Sequence, residues 1–366
     1  MALKRVIIVG GGYAGSALAR ALDGSAEVRL IESRDRFVHN VAAIRAIVDP
    51  SLVEKILIPY DKLLRRGSVL QGNVASIGEG NVTLADGTIV EGDIVVVATG
   101  SRYASPFKPH TDAVAAFAEA TRNAHAGVEA ARKIAIVGGG AVGVELAGEI
   151  ATAYRKKSIT LISASKMLLP AYSQNLSKAL AKKLEAKGVS LRLGVRALNL
   201  ADKIAPFAGT VQTDGGNIEP DLIVPAAGAH PVNDLLRRLP GSELDAIGRV
   251  RVDAWLRPAG AARIFALGDA AATGDLMTIV AITRQVPWLV KTIKALVNGR
   301  KIEALPAYTP WAVAGILVPL GPKEGASILP ITRNGIFVGR RITAMLKGKD
   351  LFISRYQKEF GRNTKH

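Results

Sequence analysis

Gly10, Gly12 and Gly15 fall in the spacing Gly-x-Gly-x-x-Gly, and Gly138, Gly140 and Gly143 repeat it 128 residues later. A β-branched run precedes each set, Arg5 to Val9 and Lys133 to Val137, and an alanine-rich segment follows. That order has a specific chemistry. The first glycine permits a tight turn, the second lets backbone approach a pyrophosphate, and the third lets helix and strand pack closely. The phosphates then meet the free N–H groups and the positive end of the helix dipole. A carboxylate ending the next strand binds the ribose hydroxyls. Glu32 stands there, after the predicted strand Glu27 to Ile31. In the second copy the corresponding strand, Ser158 to Ser163, ends in Ser163, with Arg155, Lys156, Lys157 and Lys166 around it. Without the carboxylate a 2′-phosphate is not repelled, and nearby bases can bind it. Two fingerprints predict two dinucleotides held at once, the second NADPH as well as NADH.

The elements that must position these residues also repeat. A helix is predicted from about Ala14 to Leu22. Val82 to Gly100 reads as two strands around an Asp86-Gly87 turn, then a buried strand ending in Ala98-Thr99-Gly100. Val211 to Gly228 is a weaker copy. Each half therefore runs βαβ, meander, strand and glycine turn, which is internal duplication. Near residue 264 a further buried strand ends in Gly268-Asp269. The apolar segment from Met277 to Val297 is predicted helical, with a kink or late start because of Pro287. The predicted fold is α/β, with two Rossmann-like dinucleotide-binding domains.

Composition removes several alternatives. At 366 residues the chain can hold two or three cores. No apolar run reaches the ~20 residues of a membrane span, and the best candidate, Trp311 to Gly321, contains Pro319. There is no cysteine, so disulfide chemistry, thiolate metal sites and a redox-active cysteine pair are excluded. The five histidines are scattered, and no metal site is expected. A strand beginning near residue 4 leaves no room for a signal or transit peptide, and Ala2 does not fit N-myristoylation. The expectation is a cytoplasmic protein that is not secreted. The net charge of +17 is uneven, with nine Lys/Arg against two Asp/Glu from Ile331 to His366. Within that tail Met345 to Phe360 interleaves Leu346, Leu351, Phe352, Ile353, Tyr356 and Phe360 with bases. Such an amphipathic segment packs on a partner surface or lies against an anionic membrane. No motif points to nucleic acid, which is not an expected partner. A homodimer is a further expected assembly.

Together the fingerprint with Glu32, Ala98-Thr99-Gly100, the second fingerprint ending Gly143-Val144-Glu145, and Gly268-Asp269 resemble the two-dinucleotide-binding-domain flavoproteins. Phe37 to Ala46, with its His-Asn-x-Ala-Ala-x-Arg pattern, and Lys347 to Ser354 resemble the ferroptosis suppressor and apoptosis-inducing-factor homologue proteins. That group comprises FAD-dependent NAD(P)H:quinone oxidoreductases related to the type II NADH dehydrogenases. The resemblance implies an FAD-binding domain from residues 1–110 and 236–300. An NAD(P)H-binding domain is inserted at 111–235, and a small C-terminal domain spans 301–366. It departs from animal members in lacking the myristoylated glycine, and Ala270 follows Gly268-Asp269 where cysteine is frequent.

Site roles follow from the resemblance. FAD would lie over Gly10, Gly11, Gly12, Tyr13, Ala14 and Gly15, with Glu32 on the adenosine ribose. Arg45 would reach the pyrophosphate or ribitol, and Val74 the adenine. Ala98, Thr99, Gly100 and Lys108 would border the cofactor. Gly268 and Asp269 would bind the ribitol, and the helix starting near Met277 would point at the flavin. NADH or NADPH would occupy Gly138, Gly140 and Gly143, with Ser163 and Lys166 at the 2′ position and Glu145 orienting the nicotinamide. Lys347, Phe352 and His39 would lie near the flavin and a ubiquinone- or vitamin K-like quinone. The implied reaction passes hydride from NAD(P)H to FAD and two electrons on to the quinone. Two alternatives stay open: a ferredoxin-type reductase with an acidic iron–sulfur partner, and a basic redox-sensing flavoprotein that associates with nucleic acid.

Overall fold

The β-branched runs become the centres of two parallel sheets. In the computed structural model, which describes residues 4–362 and so excludes Ala2 and His366, Arg5–Val9 pairs with Glu27–Glu32 on one side and Ile94–Val97 on the other. Ile264–Ala266 and Ser68–Gln71 complete the five strands. Val6, Ile7, Ile8, Val95, Val96 and Val97 are fully buried, as expected for parallel strands covered on both faces. Helix α1 (Tyr13–Leu22) follows the first fingerprint. Helices α2 (Asn40–Ala46) and α3 (Val114–Ala130) come before the second sheet. In that sheet Lys133–Val137 lies between Ser158–Ser163 and Leu222–Pro225, with Val189–Leu193 at the edge, all parallel. Helix α4 (Ala141–Ala153) leaves the second fingerprint, and α5 (Gln174–Glu185) follows.

The chain leaves the first sheet after Ile94–Val97 and rejoins it at Ile264–Ala266, so the second sheet is an insertion. Its two crossings pair with each other, Ser101–Arg102 antiparallel to His230–Pro231. The first half's meander becomes a separate three-stranded antiparallel sheet of Val74–Ile77, Asn81–Leu84 and Ile89–Glu91. Its copy keeps only isolated bridges such as Val211 to Ile218. The turn there, Asp214-Gly215-Gly216-Asn217, offers little side chain to pack across a sheet.

Helix α6 (Ile279–Val297) contains Pro287 and does not end there. Pro287 lies on the exposed face, where the carbonyl freed by its missing N–H meets water. The C-terminal part is an antiparallel sheet of Ile316–Pro319, Gly325–Leu329 and Ile336–Val338. A short α7 (Arg340–Thr343) then runs into a π-helical turn, Ala344–Gly348, and α8 (Ile353–Glu359) follows. The basic tail packs on the protein itself. Leu351, Tyr356 and Phe360 are buried, and Phe360 meets Phe37 with ring centroids 4.6 Å apart. The side chains left exposed belong to its first part: Ile331, Ile336, Phe337, Ile342, Met345 and Leu346.

Helix α4 lies against the C-terminal sheet with almost no clearance. A Cβ on Gly148 would stand 2.6 Å from the Leu320 Cα, a backbone atom that cannot turn aside. Gly148→Ala should therefore cost about 1–3 kcal/mol of unfolding free energy. Urea unfolding of wild type and variant checks this, and equal midpoints would show that the sheet can slide.

Candidate active site

Both fingerprints are shaped by the same backbone contact. Gly10 and Gly138 have φ of +102° and +138°. A Cβ on Gly15 would sit 1.8 Å from the Gly10 carbonyl oxygen, and one on Gly143 would sit 2.0 Å from that of Gly138. By contrast, nothing lies within 4 Å of a Cβ on Gly12 or Gly140, which face open space. The glycines thus split into packing positions and ligand-facing ones. At the first fingerprint the Gly11 N–H donates to Glu32 Oε2 at 2.6 Å, and Arg34 holds the other oxygen at 2.9 Å. At the second, Ser163 takes the carboxylate's place, its Oγ 2.5 Å from where a Gly139 Cβ would be.

Two cavities open from these loops. The first, about 530 Å³, is lined by Gly10, Gly11, Gly12, Tyr13, Ala14, Glu32, Val74, Ala98, Thr99, Gly100, Lys108, Gly268 and Asp269. The second, about 610 Å³, is lined by Gly138, Gly140, Glu145, Ser163, Met277 and Lys347, with apolar walls from Ile44, Phe107, Val280, Ile316 and Leu317. They share a wall of Tyr13, Asn40, Ser101, Lys108, Asp269 and Ile282. In it Ser101 Oγ donates to Asp269 Oδ2 at 2.6 Å, and Lys108 Nζ donates to Ser101 Oγ at 2.5 Å. Asn40 Oδ1 is buried in that wall and, among the described residues, accepts no hydrogen bond. An orphaned acceptor between two cavities calls for a ligand that brings N–H or O–H donors. With the open face of Gly12 and the buried Glu32, the residues present fit FAD in the first cavity. The N-terminus of α6, capped by Thr278, borders the second, where Met277, Thr278, Ile279, Val280 and Ile282 line it.

A buried ion pair sits in the second cavity wall. Lys347 Nζ donates to both Glu145 oxygens, at 2.7 and 2.9 Å, and to the Leu317 carbonyl at 3.1 Å. Burial outweighs the lysine's pull and raises the Glu145 carboxyl to about 6. His39 is fully buried. Its Nε2 bonds the Leu351 carbonyl at 2.7 Å and its Nδ1 lies 2.9 Å from the Tyr13 hydroxyl. The carbonyl can only accept, so Nε2 carries the proton and Nδ1 accepts from Tyr13. Burial lowers the imidazole to about 4, leaving it neutral near pH 7. It lines neither cavity and pins Leu351, which together with Phe352 adopts positive φ, 52° and 66°.

Several expected ligands lie elsewhere. Arg45 lines neither cavity, because its guanidinium is forked onto Glu149 at 2.8 and 3.0 Å. Phe352 packs against the core of the first sheet, not in a cavity. Lys166 leans its stem toward Gly194 and does not line the second cavity. Gly15 and Gly143 are packing glycines. Asn40, Ser101 and Glu149 join these walls and pairs without any expectation from the sequence. Asn40 sits inside the His-Asn motif, which is a signal for it; Ser101 and Glu149 have no local signal.

Fold and site define a class: a flavoprotein with paired FAD and pyridine-nucleotide folds. Residues 4–286 match the pyridine nucleotide-disulphide oxidoreductase family, and the chain belongs to it. It is an FAD-dependent pyridine nucleotide oxidoreductase, although without cysteine it can perform no disulfide step. Among particular relatives, it is 31% identical to apoptosis-inducing factor homolog A of Dictyostelium discoideum, covering 98% of this chain and 92% of that one. It is also 31% identical to human ferroptosis suppressor protein 1, over 95% and 94% of the two chains. Among solved structures, putidaredoxin reductase in its covalent complex with putidaredoxin superposes with a TM-score of 0.68 at 20% identity, covering 90% of this chain and 81% of that one. No helix among the described residues is long and apolar enough to cross a membrane.

His39 and Glu145 give stability opposite pH dependences. Below pH 6.5 the unfolded chain takes a proton that buried His39 refuses until about 4, so folding loses about 3 kcal/mol across that window. Glu145 holds its proton up to about 6 against 4.5 when unfolded, so acidification between those values returns about 2 kcal/mol. In His39→Gln only the second effect remains. Urea unfolding at pH 7, 5.5 and 4 should show a shallower acid loss in the variant, and parallel curves would count against a neutral buried imidazole.

Proposed function

We propose that the chain passes electrons from NADH or NADPH to a quinone of the ubiquinone or vitamin K type. The observation that carries this reading is the second cavity. It is walled by Ile44, Phe107, Val280, Ile316 and Leu317, and it abuts the first cavity through Tyr13, Asn40, Ser101, Lys108 and Asp269. A flat apolar group suits such walls, nicotinamide and acceptor taking their place there in turn, and the lack of cysteine removes a disulfide of this chain as the acceptor. FAD, when bound, supplies the two-electron relay between nicotinamide and acceptor. The chain's own residues hold, orient and exclude water. Glu32 takes the ribose, Asp269 and Lys108 border the ribitol, and Asn40 accepts a donor at the shared wall. Glu145 orients the nicotinamide ring. Lys347, held between Glu145 and the Leu317 carbonyl, brings a cation to the wall that the acceptor's oxygen would face. The domain limits of 1–110 with 236–300, 111–235 and 301–366 suit this division of labour.

The exposed Ile331, Ile336, Phe337, Ile342, Met345 and Leu346, interspersed with exposed Arg333, Arg340 and Arg341, suit contact with an anionic membrane that carries the quinone. The segment from Gly325 to Lys349 contains no acidic residue. The test is anaerobic spectroscopy of the FAD-loaded protein. NAD(P)H should bleach the visible band, and short-chain ubiquinone should restore it. A long-chain quinone should do so faster in phosphatidylserine vesicles than in phosphatidylcholine vesicles. Bleaching that only an added iron–sulfur protein reverses would favour the ferredoxin-type alternative.

Ser163 leaves room and no negative charge at the 2′ position. Ser163→Glu should lower kcat/KM for NADPH by about tenfold or more and spare NADH. Parallel losses with both nucleotides would place the 2′ contact elsewhere.

A further inference from the structure

Helix α4 carries two carboxylates one turn apart, Glu145 and Glu149, 4% and 3% exposed. Each receives a cation from a different part of the chain. Lys347, on the π-helical turn, meets Glu145. Arg45, on α2, forks onto Glu149 with Nε at 3.0 Å from Oε2 and Nη2 at 2.8 Å from Oε1. The guanidinium does more. Nη2 also donates to the Gly348 carbonyl at 2.7 Å, and Nη1 to that of Lys349 at 3.2 Å. Those carbonyls immediately follow Lys347, where the π-helical turn ends. One side chain therefore ties α2, α4 and the turn that bears Lys347.

A buried ion pair gains little net stability over apolar packing, and its best-attested use is to fix one arrangement among several. Here the fixed arrangement is specific. Neither Arg45 nor Glu149 lines a cavity, yet both act on the pair that does. We propose that Arg45 and Glu149 are a positioning pair that sets Lys347 against Glu145 in the cavity wall, holding the lysine's turn through the Gly348 and Lys349 carbonyls. This rests on the reading of Glu145 and Lys347 as part of the electron-transfer site.

The charges acting on Glu145 are Lys347, Glu149 and Arg45. Removing Arg45 leaves Glu149 as an uncompensated like charge and frees the turn, and both effects push the Glu145 carboxyl further up. Removing the charge of Glu149 leaves Arg45 unpaired and pulls it down. The opposite signs follow from the two charges, while exchange at the turn reports the hold on the Gly348 and Lys349 carbonyls that charge alone does not produce.

The experiment uses FAD-loaded wild type, Arg45→Met, Glu149→Gln and the double variant. Rapid mixing with NADPH gives the bleaching rate against pH. Hydrogen exchange over residues 344–351 and flavin content are read without any electron donor. The midpoint of the pH profile should rise by about one unit in Arg45→Met, fall in Glu149→Gln, and return near wild type in the double variant. Exchange over 344–351 should rise in Arg45→Met while flavin content holds. Loss of flavin with unchanged exchange would make Arg45 a cofactor ligand and overturn the proposal, as would shifts of the same sign in both single variants. If Arg45→Met does not fold, Glu149→Gln and the double variant still give the sign. If wild type retains FAD yet does not bleach, the functional reading fails, and the exchange data still decide whether Arg45 holds the turn.

Discussion

The close passage of one backbone segment over another, made once in each half of the chain, is the constraint on which the structure depends. The Gly10 carbonyl lies where a side chain on Gly15 would be, and the Gly138 carbonyl lies in the same relation to Gly143. No residue but glycine allows that approach, and without it α1 and α4 could not begin so close to the ends of their strands. Strand, turn and helix are therefore locked in direction, and the first-turn N–H groups open onto the cavities. The rest of the architecture brings two such loops together.

That meeting is organised by the insertion. Because Ser101–Arg102 and His230–Pro231 pair as they cross, the second fingerprint is held toward the first. The C-terminal sheet then covers α4, and the π-helical turn delivers Lys347 into the wall. Four charged side chains, Arg45, Glu145, Glu149 and Lys347, meet below 9% exposure at this junction. Leaving any one of them unpaired in so dry a setting costs several kcal/mol. The junction therefore tolerates little sliding between its parts.

What could be read from the sequence was what is local. The fingerprints, Glu32 and the strand-end Ala98-Thr99-Gly100 and Gly268-Asp269 all line or shape the cavities, because their geometry is set within a few residues. The duplication was legible for the same reason. Pairings across the chain were not. Arg45 and Glu149 are 104 residues apart, and each alone reads as an ordinary charged residue on a helix. Arg45 looked like a cofactor ligand because nothing nearby revealed the carboxylate waiting for it. The tail's amphipathic pattern was visible, but pattern alone does not say which apolar surface it meets. Phe37 and Tyr13, more than three hundred residues earlier, provide it.

The split of the first sheet also sets an order of assembly along the growing chain. The inserted sheet has all its strands once Leu222–Pro225 has been made. The outer sheet must still wait for Ile264–Ala266, and its aromatic core for Tyr356 and Phe360. The contacts of longest sequence separation thus belong to the first fingerprint's own half, and loop-closure entropy delays such contacts most. The half whose strand comes first in this sequence is the half that finishes folding. Until Tyr356 and Phe360 emerge, the part of that core around Phe37 stays uncovered, and exposed apolar surface invites a chaperone.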